Sequence, residues 1–166
     1  VGGLGNTVAC VQCFVDGNET DTDKIPMSLN YGEEYTVSVN VAADMVRGFV
    51  NGEQIFQLGG EAPATTFAGA AGFGHWSTEA YVDNLKVVSF TDGSVLYENT
   101  FDDASSLDDL KHDLATYSGG TYTGDPAVFE WEDGTLHQTD SSMTGVISYF
   151  GDTTWRNYIY SMDVMP

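Results

Sequence analysis

Trp76, Tyr117 and Tyr122 are the aromatic residues of this sequence best placed to bind a ligand, because each lies beside small residues in a loop-like stretch. An exposed aromatic ring can stack on the C–H face of a sugar while polar neighbours hydrogen-bond the sugar hydroxyl groups. For Trp76 the alternative is packing in the core. Three polar side chains complete the predicted ligand-binding set: His75, Arg47 and Asp125.

Glu130, Glu132 and Asp133 are the nearest approach to a catalytic carboxylate pair. In a strand Glu130 and Glu132 would share one face, whereas Asp133 belongs to an Asp-Gly turn. Glycoside hydrolysis needs two carboxyl groups about 5 Å apart for retention or about 6.5–9.5 Å apart for inversion. No spacing of Ser, His and Asp indicates a nucleophile. We therefore predict a non-catalytic protein, with a polysaccharide-cleaving glycoside hydrolase as an alternative.

The chain is strongly acidic, since 25 Asp and Glu against five Lys and Arg give a net charge of −20. This field repels polyanions, which excludes nucleic acid as a partner. No apolar run approaches the roughly 18 residues of a membrane helix, which excludes a transmembrane helix. The acidity favours solubility, and some of the carboxylates are also expected to bind a divalent cation.

Cys10 and Cys13 are the two cysteines, and their spacing could suggest a zinc or redox site. Zinc needs about four ligands, and the sequence has no second cysteine pair. The flanking residues read as a strand, which would place the two Cα atoms about 10 Å apart. A disulfide needs them within about 7 Å, so we predict two inert thiols.

Apolar residues recur with a period of two, the pattern of half-buried strands, most clearly in Tyr35–Val41 and Tyr158–Val164. Dipeptides that favour positive φ predict hairpin turns at Asn51-Gly52, Asp92-Gly93 and Asp133-Gly134. The other predicted strands are Val8–Val15, Ile25–Leu29, Val46–Val50, Gln54–Leu58, Ala71–Gly74, Ala80–Val82, Leu85–Phe90, Val95–Tyr97, Val128–Glu132, Leu136–Gln138 and Val146–Phe150.

One segment has helical spacing, because Leu107, Leu110 and Leu114 lie at i, i+3 and i+7 after Ser105-Ser106, which can cap a helix. No shift in composition marks a domain boundary. A dozen short strands around one short helix predict a single all-β antiparallel sandwich, or jelly roll, over residues 1–166.

Six segments in consistent spacing resemble the concanavalin A-like (laminin-G-like) jelly-roll superfamily, in its carbohydrate-binding-module type. In residues 33–90 the resemblance is carried by Glu34-Tyr-Thr-Val-Ser-Val39, Val46-Arg-Gly-Phe-Val-Asn-Gly-Glu53 and Tyr81-Val-Asp-Asn-Leu-Lys-Val87. In residues 95–164 it is carried by Val95-Leu-Tyr-Glu-Asn-Thr-Phe-Asp-Asp103, Trp131-Glu-Asp-Gly-Thr-Leu136 and Trp155-Arg-Asn-Tyr-Ile-Tyr-Ser-Met-Asp-Val164. The resemblance also implies that Trp131 and Trp155 are structural tryptophans of the core.

The two halves stand in the reverse of the family order. Residues 1–93 resemble the family's C-terminal half, and residues 94–166 resemble its N-terminal half. Two explanations fit, namely a circular permutation or a cut across tandem repeats. Since either half alone would expose long strand edges, we expect the halves to close into one sandwich, as a monomer or a domain-swapped oligomer.

The resemblance implies a structural calcium ion that ties the opening and closing strands together, held by Asp83, Glu98, Asp102 and Asp103. Together with the loop aromatics, it implies lectin-like, non-catalytic binding of a polysaccharide or other glycan. The protein is then a module or adhesin repeat of a larger extracellular protein, secreted or attached to the cell surface. A structural or adhesive spacer repeat is the alternative from a different class.

Overall fold

The computed structural model describes residues 1–9, 12–15, 18–21, 24–59, 67–114, 116–117, 120–121 and 128–166, which form an all-β antiparallel fold. The strands of the first part are β1 (Val8–Ala9), β2 (Gln12–Val15), β3 (Asn18–Asp21), β4 (Ile25–Pro26), β5 (Tyr35–Val41), β6 (Met45–Val50) and β7 (Glu53–Gly59). Those of the second part are β8 (Ala71–Trp76), β9 (Ala80–Ser89), β10 (Val95–Asn99), β11 (Lys111–Leu114), β12 (Thr116–Tyr117), β13 (Gly120–Thr121), β14 (Phe129–Glu132), β15 (Thr135–Gln138), β16 (Thr144–Phe150) and β17 (Tyr158–Met165). The helical segments are a four-residue helix α1, Gly3–Asn6, and a 3-10 helix, Ala104–Asp109.

The large sheet has the strand order β14-β15-β9-β17-β5-β6-β7, and β10 pairs with β9 beside β15. Its centre is β17, where Tyr160 lies between Val39 of β5 and Val87 of β9. Strands from before and after residue 93 therefore pair within one sheet, since β17 lies between β9 and β5, and β9 lies between β17 and β15. Three two-stranded sheets, β1-β4, β2-β3 and β12-β13, complete the described strands.

The small sheet, β11-β16-β8, packs its inner face on the large sheet. Phe150 of β16 stacks on Tyr97 with ring centroids 4.4 Å apart and meets Tyr160 edge-on at 5.6 Å. The completely buried apolar side chains of this core come from both sheets and the loop after β10: Val82, Leu85, Val87, Phe101, Leu136 and Val146. Each contributes roughly 1.5–3 kcal/mol of hydrophobic stabilisation. The expected all-β sandwich is confirmed.

The predicted hairpin turns are present, with two geometries. Asn51-Gly52 (φ 49° and 80°) and Asp133-Gly134 (φ 48° and 85°) have positive φ at both central residues, the conformation that matches strand twist. At Asp92-Gly93 the Asp92 carboxylate instead accepts a hydrogen bond from the Ser94 N–H at 3.1 Å, and Gly93 has φ 72°.

The predicted strand Ile25–Leu29 ends at Pro26 in the structure. Two further sequence-based boundaries differ for a local reason. The segments Ala80–Val82 and Leu85–Phe90 form one strand, β9, whose course is interrupted by Asn84 at φ 51° rather than by a turn. The predicted two-turn helix ends as a 3-10 helix at Asp109. No helix in the described ranges is long and apolar enough to cross a bilayer.

The leucine spacing was misleading because the chain leaves the helical conformation before Leu110. Leu110 is buried in extended conformation, and Leu114 already belongs to β11. The N-cap is Asp103 rather than Ser105-Ser106, since its carboxylate accepts a hydrogen bond from the Ser105 N–H at 2.9 Å.

Candidate functional site

Trp76 lies on the outer face of the small sheet, turned away from the core. Along β8 the side chains alternate, so that Phe73 is buried whereas Trp76 keeps 57% of its surface exposed. Because residues two apart in a strand share a face, Gly72 and Gly74 face outward with Trp76. Because its side chain is exposed, Trp76 does not pack in the core, which was the alternative interpretation of this residue.

Tyr149 and Ile147 of β16 extend this outer face. Tyr149 pairs with Gly72 across the two strands, and Ile147 pairs with Gly74. Tyr149 is 36% exposed, and Lys111 of β11 places its Nζ 6.0 Å from the centre of the Tyr149 ring, in cation–π contact. We call the surface made by the following residues the outer platform: Gly72, Gly74, Trp76, Ile147 and Tyr149.

Gly72 and Gly74 leave the surface between the two aromatic residues of the outer platform without side chains from β8. A Cβ at Gly72 would lie 2.5 Å from the Ser148 carbonyl oxygen and 3.1 Å from the Tyr149 Cβ. A Cβ at Gly74 would lie 3.0 Å from Cγ2 of Ile147. At Gly72 the two strands approach too closely for a side chain, and at Gly74 the Ile147 side chain would have to shift by a few tenths of an ångström. No side chain of β8 lies between Trp76 and Tyr149.

The spacing of the two aromatic residues suits an extended ligand. Gly72, the partner of Tyr149, lies four residues from Trp76 along β8, which corresponds to about 13 Å at about 3.3 Å per residue. Two rings at that separation contact different units of a ligand. The outer platform thus offers two apolar stacking surfaces on a rigid sheet.

His75 lies on the opposite face of β8, inside the core. Its ring centroid is 5.9 Å from those of Phe73 and Phe129, and its buried Nδ1 has no hydrogen-bond partner in the described structure. Burial lowers the pKa of His75 to about 4, because the imidazolium would lose its hydration. The structure thus separates His75 from Trp76, and the predicted contact of His75 with the same ligand has no geometric basis.

Arg47 lies on the other side of the sandwich. Arg47 of β6 pairs with Asn40 of β5. The preceding residue of β5, Val39, packs on the core, and adjacent residues of a strand face opposite sides. Arg47 therefore faces outward from the large sheet. Its Nε donates a hydrogen bond to Oε1 of Gln57 at 3.0 Å. Arg47 and Trp76 are therefore not brought together in one site.

Several residues singled out from the sequence lie outside what the structure describes. Tyr122, Asp125 and Cys10 fall in undescribed ranges, and for Tyr117 in β12 and Cys13 in β2 only the backbone is described. The predicted roles of Tyr117, Tyr122 and Asp125, and the predicted inert thiols, stay predictions.

Each carboxylate of the predicted calcium site accepts a hydrogen bond within the protein. Asp83 accepts one from the Asn84 N–H at 2.6 Å, and Glu98 accepts one from Nζ of Lys86 at 2.6 Å. Asp102 accepts one from the Thr100 hydroxyl at 2.6 Å, and Asp103 accepts one from the Ser105 N–H at 2.9 Å. Across the described ranges, no three carboxylate, imidazole or thiol groups gather around a point where they could hold a metal ion. Burial, followed by the charges of Asp163 and Asp102, raises the pKa of Asp83. Calcium stays a prediction, and Asp83 is the position that tests it.

The carboxylate pair considered for catalysis lies on an edge strand of the large sheet. Glu130 and Glu132 of β14 are both exposed, and Oε2 of Glu132 lies 2.5 Å from Nδ1 of His137. Asp133 belongs to the hairpin turn. Among the described residues, this exposed edge has no walls that would exclude water from the two carboxylates.

The other two tryptophans have structural contacts. Trp155 packs against the core and so close to Gly151 that a Cβ there would lie 2.2 Å from the indole ring. Trp131 keeps 37% of its surface exposed, and its Nε1 donates a hydrogen bond to the Phe101 carbonyl at 2.7 Å. Trp131 thus holds the loop after β10 by this hydrogen bond and does not fill the core.

No protein-family model matches the sequence, and no curated protein matches it at a significant level. The functional conclusion therefore rests on the geometry and charge of the described surfaces.

Proposed function

We propose that this protein binds a glycan on the outer platform without cleaving it. The observation that carries the proposal is the joint exposure of Trp76 and Tyr149 on one sheet face, with Gly72 and Gly74 between them. Aromatic rings held by a rigid sheet can stack on sugar rings without the entropy cost of ordering a loop.

The charge of the protein favours neutral over acidic glycans. A net charge of −20 repels polysaccharides that carry carboxylate or sulfate groups. At the far edge of the outer platform, the Lys111 ammonium can donate hydrogen bonds to sugar hydroxyl groups. The ligand class that fits is an elongated polysaccharide whose rings present flat C–H faces.

The cellular setting that goes with this proposal is extracellular, as a module or repeat of a larger secreted or surface-attached protein. Strong acidity and an all-β sandwich support it as features of such modules. A spacer repeat without a glycan ligand is the competing class, and the binding experiment separates the two.

The experiment compares glycan binding by the wild type with that of Trp76→Ala and Tyr149→Ala. A glycan array followed by affinity electrophoresis in neutral polysaccharides selects the ligand and measures its dissociation constant. Each substitution is expected to weaken binding about tenfold, since aromatic anchors dominate such interfaces. Phe90→Ala is the matched control, because Phe90 is also an exposed aromatic residue but lies outside the outer platform.

Stability measurements keep the result interpretable. Trp76 and Tyr149 keep 57% and 36% of their surface exposed, so replacement of either by alanine is expected to lower the free energy of unfolding by about 1 kcal/mol and to leave the protein folded. Equal binding by all variants refutes the outer platform as the site. Failure of the wild type to bind any plant, host or microbial glycan favours the spacer, and release of reducing sugar would show an enzyme.

A further inference from the structure

A second surface adjoins the outer platform at the end of β8. It is an open cleft of about 380 Å³ beside the Ser77–Glu79 loop, which joins β8 directly to β9. Its lining combines two tyrosines with hydroxyl and carboxylate groups: Tyr31, Ser77, Thr78, Glu79, Tyr81 and Ser141. Ser77 follows Trp76 in the chain, so the loop that borders the cleft begins where β8 ends.

The polar groups of the cleft are available to a ligand. The Tyr31 and Tyr81 hydroxyl groups, the Ser77 and Ser141 hydroxyl groups and the Glu79 carboxylate make no hydrogen bond with the described part of the chain. Tyr31 is 78% exposed. Free hydroxyl groups that converge on one cleft are the kind of lining that recognises a polar ligand.

The charge of the cleft selects a cation. Among the described residues the ion pairs are Lys86–Glu98 and His137–Glu132, so Glu79 has no basic partner. With a net charge of −20 around it, an added positive charge is favoured. An ammonium group can donate charge-assisted hydrogen bonds to Glu79 and contact the Tyr31 ring and the face of the Tyr81 ring that His137 does not cover.

Two parts of the cleft lining, Tyr81 and the Ser77–Glu79 loop, are fixed by contacts with the rest of the protein. The Tyr81 ring stacks on the His137 ring with centroids 4.1 Å apart and an interplanar angle of 14°. His137 is itself fixed by its contact with Glu132. On the other side, the Ser77 N–H donates a hydrogen bond to the Met143 carbonyl at 2.8 Å, which anchors the loop. A wall ordered before binding loses little entropy when the ligand arrives.

We propose that this cleft binds the ammonium group of an amino sugar, so that the protein prefers glycans that carry free amines. This inference rests on the proposed function and deepens it, since it names a substituent that the outer platform alone does not select. N-acetylation removes the positive charge, so the acetylated sugar loses the contact with Glu79.

The test measures binding of two probes by calorimetry at about pH 6, where a sugar amine is charged, in about 0.15 M salt. The probes are the β-1,4-linked glucosamine trimer and its fully N-acetylated counterpart. The wild type is expected to bind the glucosamine trimer more tightly, and Glu79→Gln to weaken that binding about tenfold. Glu53→Gln is the matched control, because Glu53 is exposed, is distant in sequence and changes the net charge equally. Tyr31→Ala is expected to weaken the same probe about threefold.

Several results would overturn the inference. Equal weakening by both Glu→Gln variants would show attraction by the overall charge, and equally tight, Glu79-dependent binding of trilysine would show an ammonium site that is not specific for sugars. Binding of neither trimer overturns it as well. If Trp76→Ala weakens both trimers while Glu79→Gln changes neither, the proposed function stands and the cleft does not. If only the Glu79 effect is seen, the cleft stands and the outer platform does not.

Discussion

Replacement of His75 by Phe is expected to make the protein more resistant to acid. The pKa of His75 is about 4 in the folded chain, against 6.5 for an exposed imidazole. As the pH falls below 6.5, the unfolded chain takes up a proton at this position and the folded chain does not until about pH 4. The wild type therefore loses stability through His75 in this range.

The magnitude follows from the difference between the two pKa values. The difference 6.5 − 4 is 2.5 units, and at about 1.36 kcal/mol per unit it amounts to about 3 kcal/mol once the pH has reached 4. Most of this loss is present at about pH 4.5 and almost none at about pH 7.5. A Phe ring takes no proton and retains the contacts with Phe73 and Phe129, so His75→Phe removes the pH-dependent part.

The measurement is urea unfolding followed by tryptophan fluorescence at several pH values between about 7.5 and 4.5. The stability of His75→Phe relative to the wild type is expected to rise by about 2.5 kcal/mol from the upper to the lower limit. Phe73→Leu is the control, because it disturbs the same ring cluster without changing a titratable group, so its cost should be the same at every pH. A difference between His75→Phe and the wild type that is constant with pH would refute the assignment of a buried, neutral His75.

Other substitutions test the carboxylates and the rim. In chelator, Asp83→Asn is expected to stabilise the protein by a few tenths of a kcal/mol in urea unfolding, because it relieves burial of a charge and repulsion from Asp163. If the predicted calcium ion binds at Asp83, calcium raises the melting temperature of the wild type but not of Asp83→Asn, and equal melting in calcium and chelator argues against the ion. Trp131→Phe is expected to cost about 1 kcal/mol in the same unfolding assay, because the Phe101 carbonyl loses its donor, and an unchanged stability would mean that the bond contributes nothing.

The strand pattern and the turns could be predicted from the sequence because they depend on local properties. Tyr35–Val41 forms a strand over the predicted residues. Asn51 and Gly52 form the predicted turn, because both residue types tolerate the positive φ that this turn requires. The helix prediction failed at Leu110 and Leu114, since strand residues and extended loops can bury leucines at the same spacing. Burial alone does not distinguish the two when a segment is short.

The candidate site was only partly predictable for a geometric reason. Trp76 was identified by its neighbours, but His75 was grouped with it although adjacent residues of a strand point to opposite faces. Tyr149 was missed because the sequence of β16 has no alternation of polar and apolar residues: Ser148 is buried, whereas Tyr149 faces outward. The pairing of β16 with β8 could not be read from the sequence, since it joins residues about 70 positions apart.

The central position of β17 has a consequence for how the chain acquires its structure. Thr36 of β5 donates a hydrogen bond to Asp163 of β17, and the two residues are 127 positions apart. During synthesis β5 and β9 leave the ribosome well before the strand that must lie between them, and each then presents an unsatisfied edge. Closing so long a loop is slow, so the nascent chain spends that interval vulnerable to aggregation or to capture of β17 from a neighbouring molecule.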